Sequence, residues 1–510
     1  MNELKKLVSM VKIQSVNNLE FLTLESQKGK MLELYKSVRA GDYQTDEEAM
    51  VGIYGNNKQD AAYRKLKSRL QTQLLNTILF SNSNRANSDK RNLQIETSYR
   101  LFSVFIILLS QSAFSSAYVM GKRILKLAFS LEASELIYMV SHRMRRIVER
   151  MGDKKKFDYY NEMVHKYQKL HHAEVLAAEY NQNITIHFRK TRSAKTKLAA
   201  TAKEYSKELK KYTDELDSPM LYLHAYNIYI LSHEIAGDFH GLREACHDVA
   251  TYFDERKPRR PLLVFFFLFK SLGVYVKGKE FEAGEKTIQK AIANIGNLKS
   301  RNYFITKEQH VLLAFYCGKY QTAYDQYYQT IKKAGFKSIV EVYRERWKVY
   351  EAYLEFLLLN EQLVIHSNKK KSKFRLGRFL NEVPVYSKDK MGLNVSILIV
   401  QLLFLLQTKK YADLIDRVDR LKVYAYRYLK KKETMRSYCF VKMLLEIPKA
   451  QFHREAVVRK VDNHFSKLKN ISPFESLDAG VIEIVCYEDL WGMVLDSLQA
   501  KHHKVKSNKN

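Results

Sequence analysis

Glycine and proline are scarce in this 510-residue chain, at 18 and 6 residues, against usual shares of roughly 7% and 5%. Both residues punctuate turns, so their shortage favours long helices joined by short loops. An all-β sandwich or a Gly-rich nucleotide-binding fold would need more of each. The four cysteines, Cys246, Cys317, Cys439 and Cys486, stand far apart with no CxxC pair. That spacing argues against a disulfide framework or a zinc site and for buried free thiols in a reducing compartment. Neither GxxxxGK[ST] nor GxGxxG occurs, so nucleotide-driven chemistry of those kinds is not supported.

What is present in quantity is apolar surface and positive charge. Hydrophobic residues make up 46% of the chain, enough to supply a core. Lys and Arg number 86 against 55 Asp and Glu, a net +31. Such a surface attracts polyanions at low salt by long-range electrostatics. The opening residues, Met1-Asn-Glu-Leu-Lys-Lys-Leu-Val8, contain no apolar stretch followed by small residues. A cytoplasmic location is therefore expected. Leu101–Met120 is 20 residues without a charge, long enough to span a bilayer. Its six Ser and Gln residues favour an interior helix of a soluble protein instead, so membrane insertion is not expected. Leu262–Phe269 and Val395–Leu406 are too short to span and read as core helices.

The first residues, about 1–30, carry Leu4, Leu7, Val8, Val11 and Val16 in an amphipathic helical pattern. Thr45-Asp46-Glu47-Glu48 fits a capping box, Gly55-Asn56-Asn57 breaks the chain, and Asp60 can cap a helix with Tyr63, Leu66, Leu70, Leu74 and Ile78 on one face. Residues 1–80 thus form an N-terminal helical module. The polar run Ser81–Asn92 is a linker, 93–365 a helical-repeat region, 366–392 a basic irregular insert interrupted by Pro384, and 393–500 further helical repeats. The tail 501–510 is basic and lacks a core-forming pattern.

The repeat rests on four segments: Ala236-Gly-Asp-Phe-His-Gly-Leu, Lys277-Gly-Lys-Glu-Phe-Glu-Ala, Cys317-Gly-Lys-Tyr-Gln-Thr-Ala and Thr408-Lys-Lys-Tyr-Ala-Asp-Leu. Each reads as a helix end, a tight turn with Gly or Lys, and an aromatic opening the next amphipathic helix. Phe239, Phe281 and Tyr320 are 42 and 39 residues apart, Tyr411 follows 91 later, and Phe157 precedes Phe239 by 82. A period near 40 predicts stacked helical hairpins. Glycine permits the left-handed turn, and the aromatic wedges between helices. These residues resemble the tetratricopeptide-repeat superfamily, most clearly in Val276–Ala291 and Phe315–Lys333, although the units are longer than the family's 34 residues and its Trp and closing Pro are missing. The resemblance implies an all-α, right-handed stack of helical hairpins that binds other proteins.

His233-Glu234 resembles the opening of a zincin helix, but Gly237 stands where the second His belongs and His240 is the next one. The pair reads as a helix that ends at Gly237-Asp238. No catalytic, cofactor or metal residues are therefore expected, and the protein is read as a non-enzyme. The candidate binding residues are basic. Arg143, Arg145, Arg146, Arg150, Lys154, Lys155 and Lys156 run from a helix into its turn, and Arg189, Lys190 and Arg192 follow. Lys369, Lys370, Lys371, Lys373 and Arg375 form a second concentration. From 140 to 211 there are 18 basic and 8 acidic residues, a local net of +10. Aligned by stacking, they would make a stripe for an acidic protein partner or for RNA or DNA phosphates; unaligned, they are a solvated face. Tyr343, Trp347 and Tyr350 lie at helical spacing and read as packing. In the 61–79 helix, Arg64, Lys65, Lys67 and Arg69 lie largely off the apolar stripe. A three-helix module with a basic last helix resembles helix-turn-helix DNA binders in outline. The expected function is a protein-binding scaffold, with nucleic-acid binding as the alternative.

Overall fold

Helix is the only regular structure among the described residues: 21 α-helices and two short 3-10 turns. The computed structural model describes residues 1–11, 28–55, 60–80, 90–190, 195–364, 377, 379, 393–429, 434–475 and 483–498. Most of the predicted linker, nearly all of the basic insert and the tail 501–510 lie outside those residues. The chain divides into two units, 1–171 and 172–510, with the boundary inside the long helix Lys154–Lys190.

In the first unit, α1 (Asn2–Met10), α2 (Lys28–Ala40), α3 (Asp46–Tyr54) and α4 (Asp60–Phe80) enclose Leu4, Val8, Leu34, Ile53, Tyr63 and Leu70. The first helix is shorter than the sequence predicts. It stops at Val11, whose backbone is extended, and Val16 lies outside the described residues. The capping box forms as expected: Thr45 Oγ1 accepts the Glu48 N–H at 3.2 Å, and the Glu48 carboxylate accepts the Thr45 N–H at 3.3 Å. Gly55 then ends α3 at φ 78°, a conformation that favours glycine. Asp46 ties α3 to α4 by accepting from Tyr63 Oη at 2.8 Å and Lys67 Nζ at 2.8 Å. Burial alone would raise the Asp46 pKa. The hydrogen bonds from Lys67, the terminal ammonium and Tyr63 outweigh it and hold the carboxyl at about 2.

Next come α5 (Lys90–Ser110), α6 (Phe114–Leu131), α7 (Ser134–Arg150) and α8 (Lys154–Lys190), packed around Phe105, Ile124, Leu136, Val140 and Met144. The expected single interior helix over Leu101–Met120 does not form. A turn divides it, with Ser112 at φ 57° and the Ala113 N–H donating to the Leu108 carbonyl at 2.9 Å. Val104, Ile107 and Val119 are exposed. Arg91–Ser110 is the one described helix long and apolar enough to cross a membrane, and only 11% of its apolar window is buried. The amphipathic pattern that buries Phe105 leaves the opposite side of the helix uncovered among the described residues.

The second unit continues with α9 (Lys195–Glu215), α10 (Pro219–Ala236), α11 (Phe239–Glu255), α12 (Pro261–Lys277), α13 (Phe281–Ala293), α14 (Arg301–Tyr316) and α15 (Tyr320–Ile331). Then follow α16 (Glu341–Leu359), α17 (Leu393–Gln407), α18 (Tyr411–Tyr428), α19 (Met435–Lys449), α20 (Arg454–Asn470) and α21 (Tyr487–Ser497). From α9 to α20 each helix packs on the next, and α12 also packs on α14, as a helical repeat requires.

The four aromatics chosen from the sequence are the first residues of α11, α13, α15 and α18. The turn before each is the same. The N–H groups of Asp238, Glu280, Lys319 and Lys410 donate to carbonyls five residues back, at 2.9, 3.0, 2.8 and 2.9 Å. This bond closes a helix whose penultimate turn residue is left-handed. Glycine fills that position at Gly237 and Gly318, as expected, but Lys279 and Lys409 fill it at φ 56° in the other two. Gly278 itself is right-handed. A fifth copy at Leu357–Gln362, with Glu361 left-handed, has no glycine and no aromatic and escapes the sequence pattern. Phe157 is out of phase, being the fourth residue of α8 rather than its first.

The chain then folds back along these turns. Phe474 stacks on Phe239 with centroids 4.7 Å apart, and Asp489 lies 3.8 Å from Lys279. Helix α21 buries Tyr487, Leu490, Trp491 and Val494 and packs on α17. Its anchor is Arg436, which is 2% exposed. All of its donors are used: Glu483 at 2.8 and 3.0 Å, Glu488 at 2.7 Å, and the Leu468 and Ile471 carbonyls at 3.0 Å each. Glu483, Cys486 and Glu488 bring three metal-capable atoms within 4.8 Å of one another. Both carboxylates are committed to Arg436, so the cluster is an internal ion network that closes the end of α20.

Candidate interaction surface

Helices α10 and α12, and the part of α8 that belongs to the second unit, carry polar side chains where their neighbours would predict apolar ones. Lys270 is the only charge within Pro261-Leu-Leu-Val-Phe-Phe-Phe-Leu-Phe-Lys270, and its Nζ donates to Asn227 Oδ1 at 2.9 Å. Asn227 Nδ2 donates to Asn181 Oδ1 at 2.6 Å, and Asn181 Nδ2 to His224 Nδ1 at 3.1 Å. The bonds all run in one direction, away from the lysine, so each polarises the next. With Nδ1 accepting, the His224 proton sits on Nε2. Burial depresses the pKa of both Lys270 and His224. For Lys270 the field of Glu234 opposes that shift. The ladder therefore presents N–H donors at both ends.

Helical spacing places apolar residues beside it. On α12, Leu262, Phe266 and Lys270 follow one another at four-residue intervals on one face, and Leu262 and Phe266 are 47% and 41% exposed. Leu262–Phe269 is a core helix, as expected, but it is buried on one side only. Only Val264, Phe265, Phe267 and Leu268 are buried. On α10, Met220 is exposed on the face of His224 and Asn227. Hydrogen-bond donors next to exposed large apolar side chains are the composition of a protein-binding patch. The signal was present in the sequence: a lone lysine in an apolar run, and asparagines 43 and 46 residues from its neighbours in the repeat, Asn227 to Lys270 and Asn181 to Asn227.

The described part of the basic cluster singled out from the sequence, residues 143–156, lies in the first unit, where its side chains take different partners. Arg143 donates to the Met139 carbonyl at 3.0 Å and lies over Phe102 at 5.3 Å, and Arg150 lies over Phe114 at 4.4 Å. Arg145 points elsewhere, to Asn161 Oδ1 at 2.7 Å. Lys154 pairs with Asp158 at 2.6 Å and Lys156 with Asp153 at 2.5 Å. Arg146 and Lys155 are exposed with their charges uncommitted. Arg189, Lys190 and Arg192, like Lys369, Lys370, Lys371, Lys373 and Arg375, lie outside the described side chains.

Other sequence readings resolve into packing. Trp347 and Tyr350 are buried, and Tyr350 Oη donates to the buried Glu308 at 2.6 Å. His233 turns to Asp238 Oδ2 at 2.8 Å and His240 to Glu244 at 3.4 Å, so the two histidines serve separate carboxylates. The cysteines are free, with Cys246, Cys439 and Cys486 buried and Cys317 half-buried. Burial pushes the Cys246 and Cys486 thiols up to about 12, which makes both poor nucleophiles.

No protein-family model, no curated protein and no solved structure matches this chain.

Proposed function

We propose that the chain is a non-enzymatic helical-repeat scaffold of the tetratricopeptide-like class, a right-handed stack of hairpins that binds another protein. The observation that carries this reading is the donor ladder Lys270–Asn227–Asn181–His224 with Phe266, Leu262 and Met220 exposed beside it. The recurring turns at 42- and 39-residue spacing support the hairpin stack. N–H donors at the ends of the ladder select carboxylates and carbonyl oxygens, and the net +31 steers acidic segments toward the protein. The partner is therefore a protein with an acidic segment carrying at least one large apolar side chain. It binds in the cytoplasm, where the free thiols persist.

The experiment is a titration of a fluorescent, end-blocked Glu-rich peptide containing one Leu-Phe pair against the full chain at 150 mM salt. Phe266→Ala and Lys270→Met each weaken binding about tenfold, since each removes one anchor worth roughly 1.4 kcal/mol. Unchanged affinity in both variants would overturn the assignment.

A further inference from the structure

Helix α4 of the first unit presents a second, independent surface. Helix α4 has 21 residues, about 31 Å of rod. One side holds Tyr63, Leu70 and Leu74 in the module's core. The other exposes Ala61, Arg64, Lys65, Ser68, Arg69 and Thr72. Positions 61, 65, 68 and 72 form one continuous stripe at helical spacing. Lys65 and Arg69 are exposed and make no hydrogen bond or ion pair with the described residues. The acids of α3 and α4 are largely used within the module: Asp46 on Lys67 and Tyr63, Glu48 in the capping box, and Asp60 on Arg64, leaving Glu47 exposed.

We propose that this face of α4 docks in the major groove of duplex DNA. The stripe is one helix wide, and the B-form major groove, about 12 Å across, admits one helix. Arginine and lysine at 64, 65 and 69 meet phosphates and guanine edges, and Ser68 and Thr72 are short enough to let the helix approach the base edges between them. Double-stranded RNA fits less well, because its major groove is too narrow for a helix. A protein partner fits less well over Ala61 to Thr72, where the exposed face has no aromatic or large aliphatic anchor, the exposed Leu75 and Leu79 lying further along α4. Asp46 of α3 is bonded to two α4 side chains, Tyr63 and Lys67, which fixes α4 on the module.

Fluorescence anisotropy of the full chain with a random-sequence 25-base-pair DNA, and with the same duplex as RNA, tests this between 50 and 200 mM salt. Lys65→Gln/Arg69→Gln is compared with Arg146→Gln/Lys155→Gln, which neutralises two other uncommitted charges of the same unit. All four side chains are exposed, and far-UV circular dichroism confirms that each variant is folded. The expected result is tighter binding of DNA than RNA, at least a tenfold loss at 50 mM salt for the α4 pair, and a slope of log affinity against log salt lower by roughly two. The other pair then changes affinity less than threefold. Equal losses for the two pairs, equal binding of RNA, or no DNA binding at 50 mM salt would each overturn the proposal.

Discussion

Removing Arg436 should release the C-terminal helix from the rest of the second unit. Its guanidinium makes five hydrogen bonds with four acceptor groups, two of them carboxylates, and is 2% exposed. In Arg436→Met the Glu483 side chain, 1% exposed, would keep only the Tyr487 N–H at 3.1 Å. Breaking a buried pair from one side costs about 3–5 kcal/mol, because a charge is left uncompensated in a low-dielectric interior. Glu488 is 27% exposed and can turn to water, so it adds little. The double variant Arg436→Met/Glu483→Met should recover most of that loss, since paired replacement by apolar residues of similar volume is close to neutral. Amide hydrogen exchange over 483–498 is the assay, as it reads local opening. A change of 3–5 kcal/mol lowers protection in α21 by about a hundred- to several-thousand-fold, at 1.4 kcal/mol per decade. A loss below tenfold in the single variant, or a double variant as unprotected as the single one, would refute the reasoning.

Burial lowers the pKa values of His224, His247 and His310 below 6.5. The unfolded chain then binds more protons in that window, so stability is full above pH 6.5 and falls as the pH drops. The thermal midpoint should be lower at pH 5.5 than at 7.5, and His247→Gln should flatten the difference. At the left-handed turn positions the sign of a glycine change should follow the residue already there: Lys409→Gly should raise urea stability by about 0.5–1 kcal/mol, and Gly318→Ala should lower it by about 1 kcal/mol. Thr45→Ala removes the cap of α3 and should cost the first unit about 1 kcal/mol in a melt of that unit's exchange-protected amides.

Much of the fold was legible because helices announce themselves by period and by their stop signals. Glycine and proline scarcity gave the all-helical class. The capping box at Thr45–Glu48 and the aromatics at 239, 281, 320 and 411 located helix starts to the residue, because both are local devices whose chemistry depends on a few adjacent positions. The turn at Glu361 was hidden because any residue can take a left-handed conformation when the flanking helices determine it, and Lys279 shows the same next to an unused glycine. Apolar runs located core helices without showing which of their faces is covered. Leu101–Met120 and Leu262–Phe269 have the composition of interior helices, yet composition does not report whether a neighbour lies on both sides, and Ile107 and Phe266 face solvent. The charge reading failed to find the ladder for a related reason. Basic residues cluster in sequence at 143–156, but Arg143 and Arg145 leave the helix on different faces, whereas Lys270, Asn227 and Asn181 meet only through packing of three separate helices.

Hydrogen-exchange mapping of the full chain with and without the Glu-rich peptide tests the central claim most directly, because it reports where an acidic segment sits. Protection gained in 175–186, 220–234 and 262–270, with residues 143–156 unchanged, is the predicted footprint. Protection confined to 143–156, or none anywhere at a saturating concentration, would contradict the account.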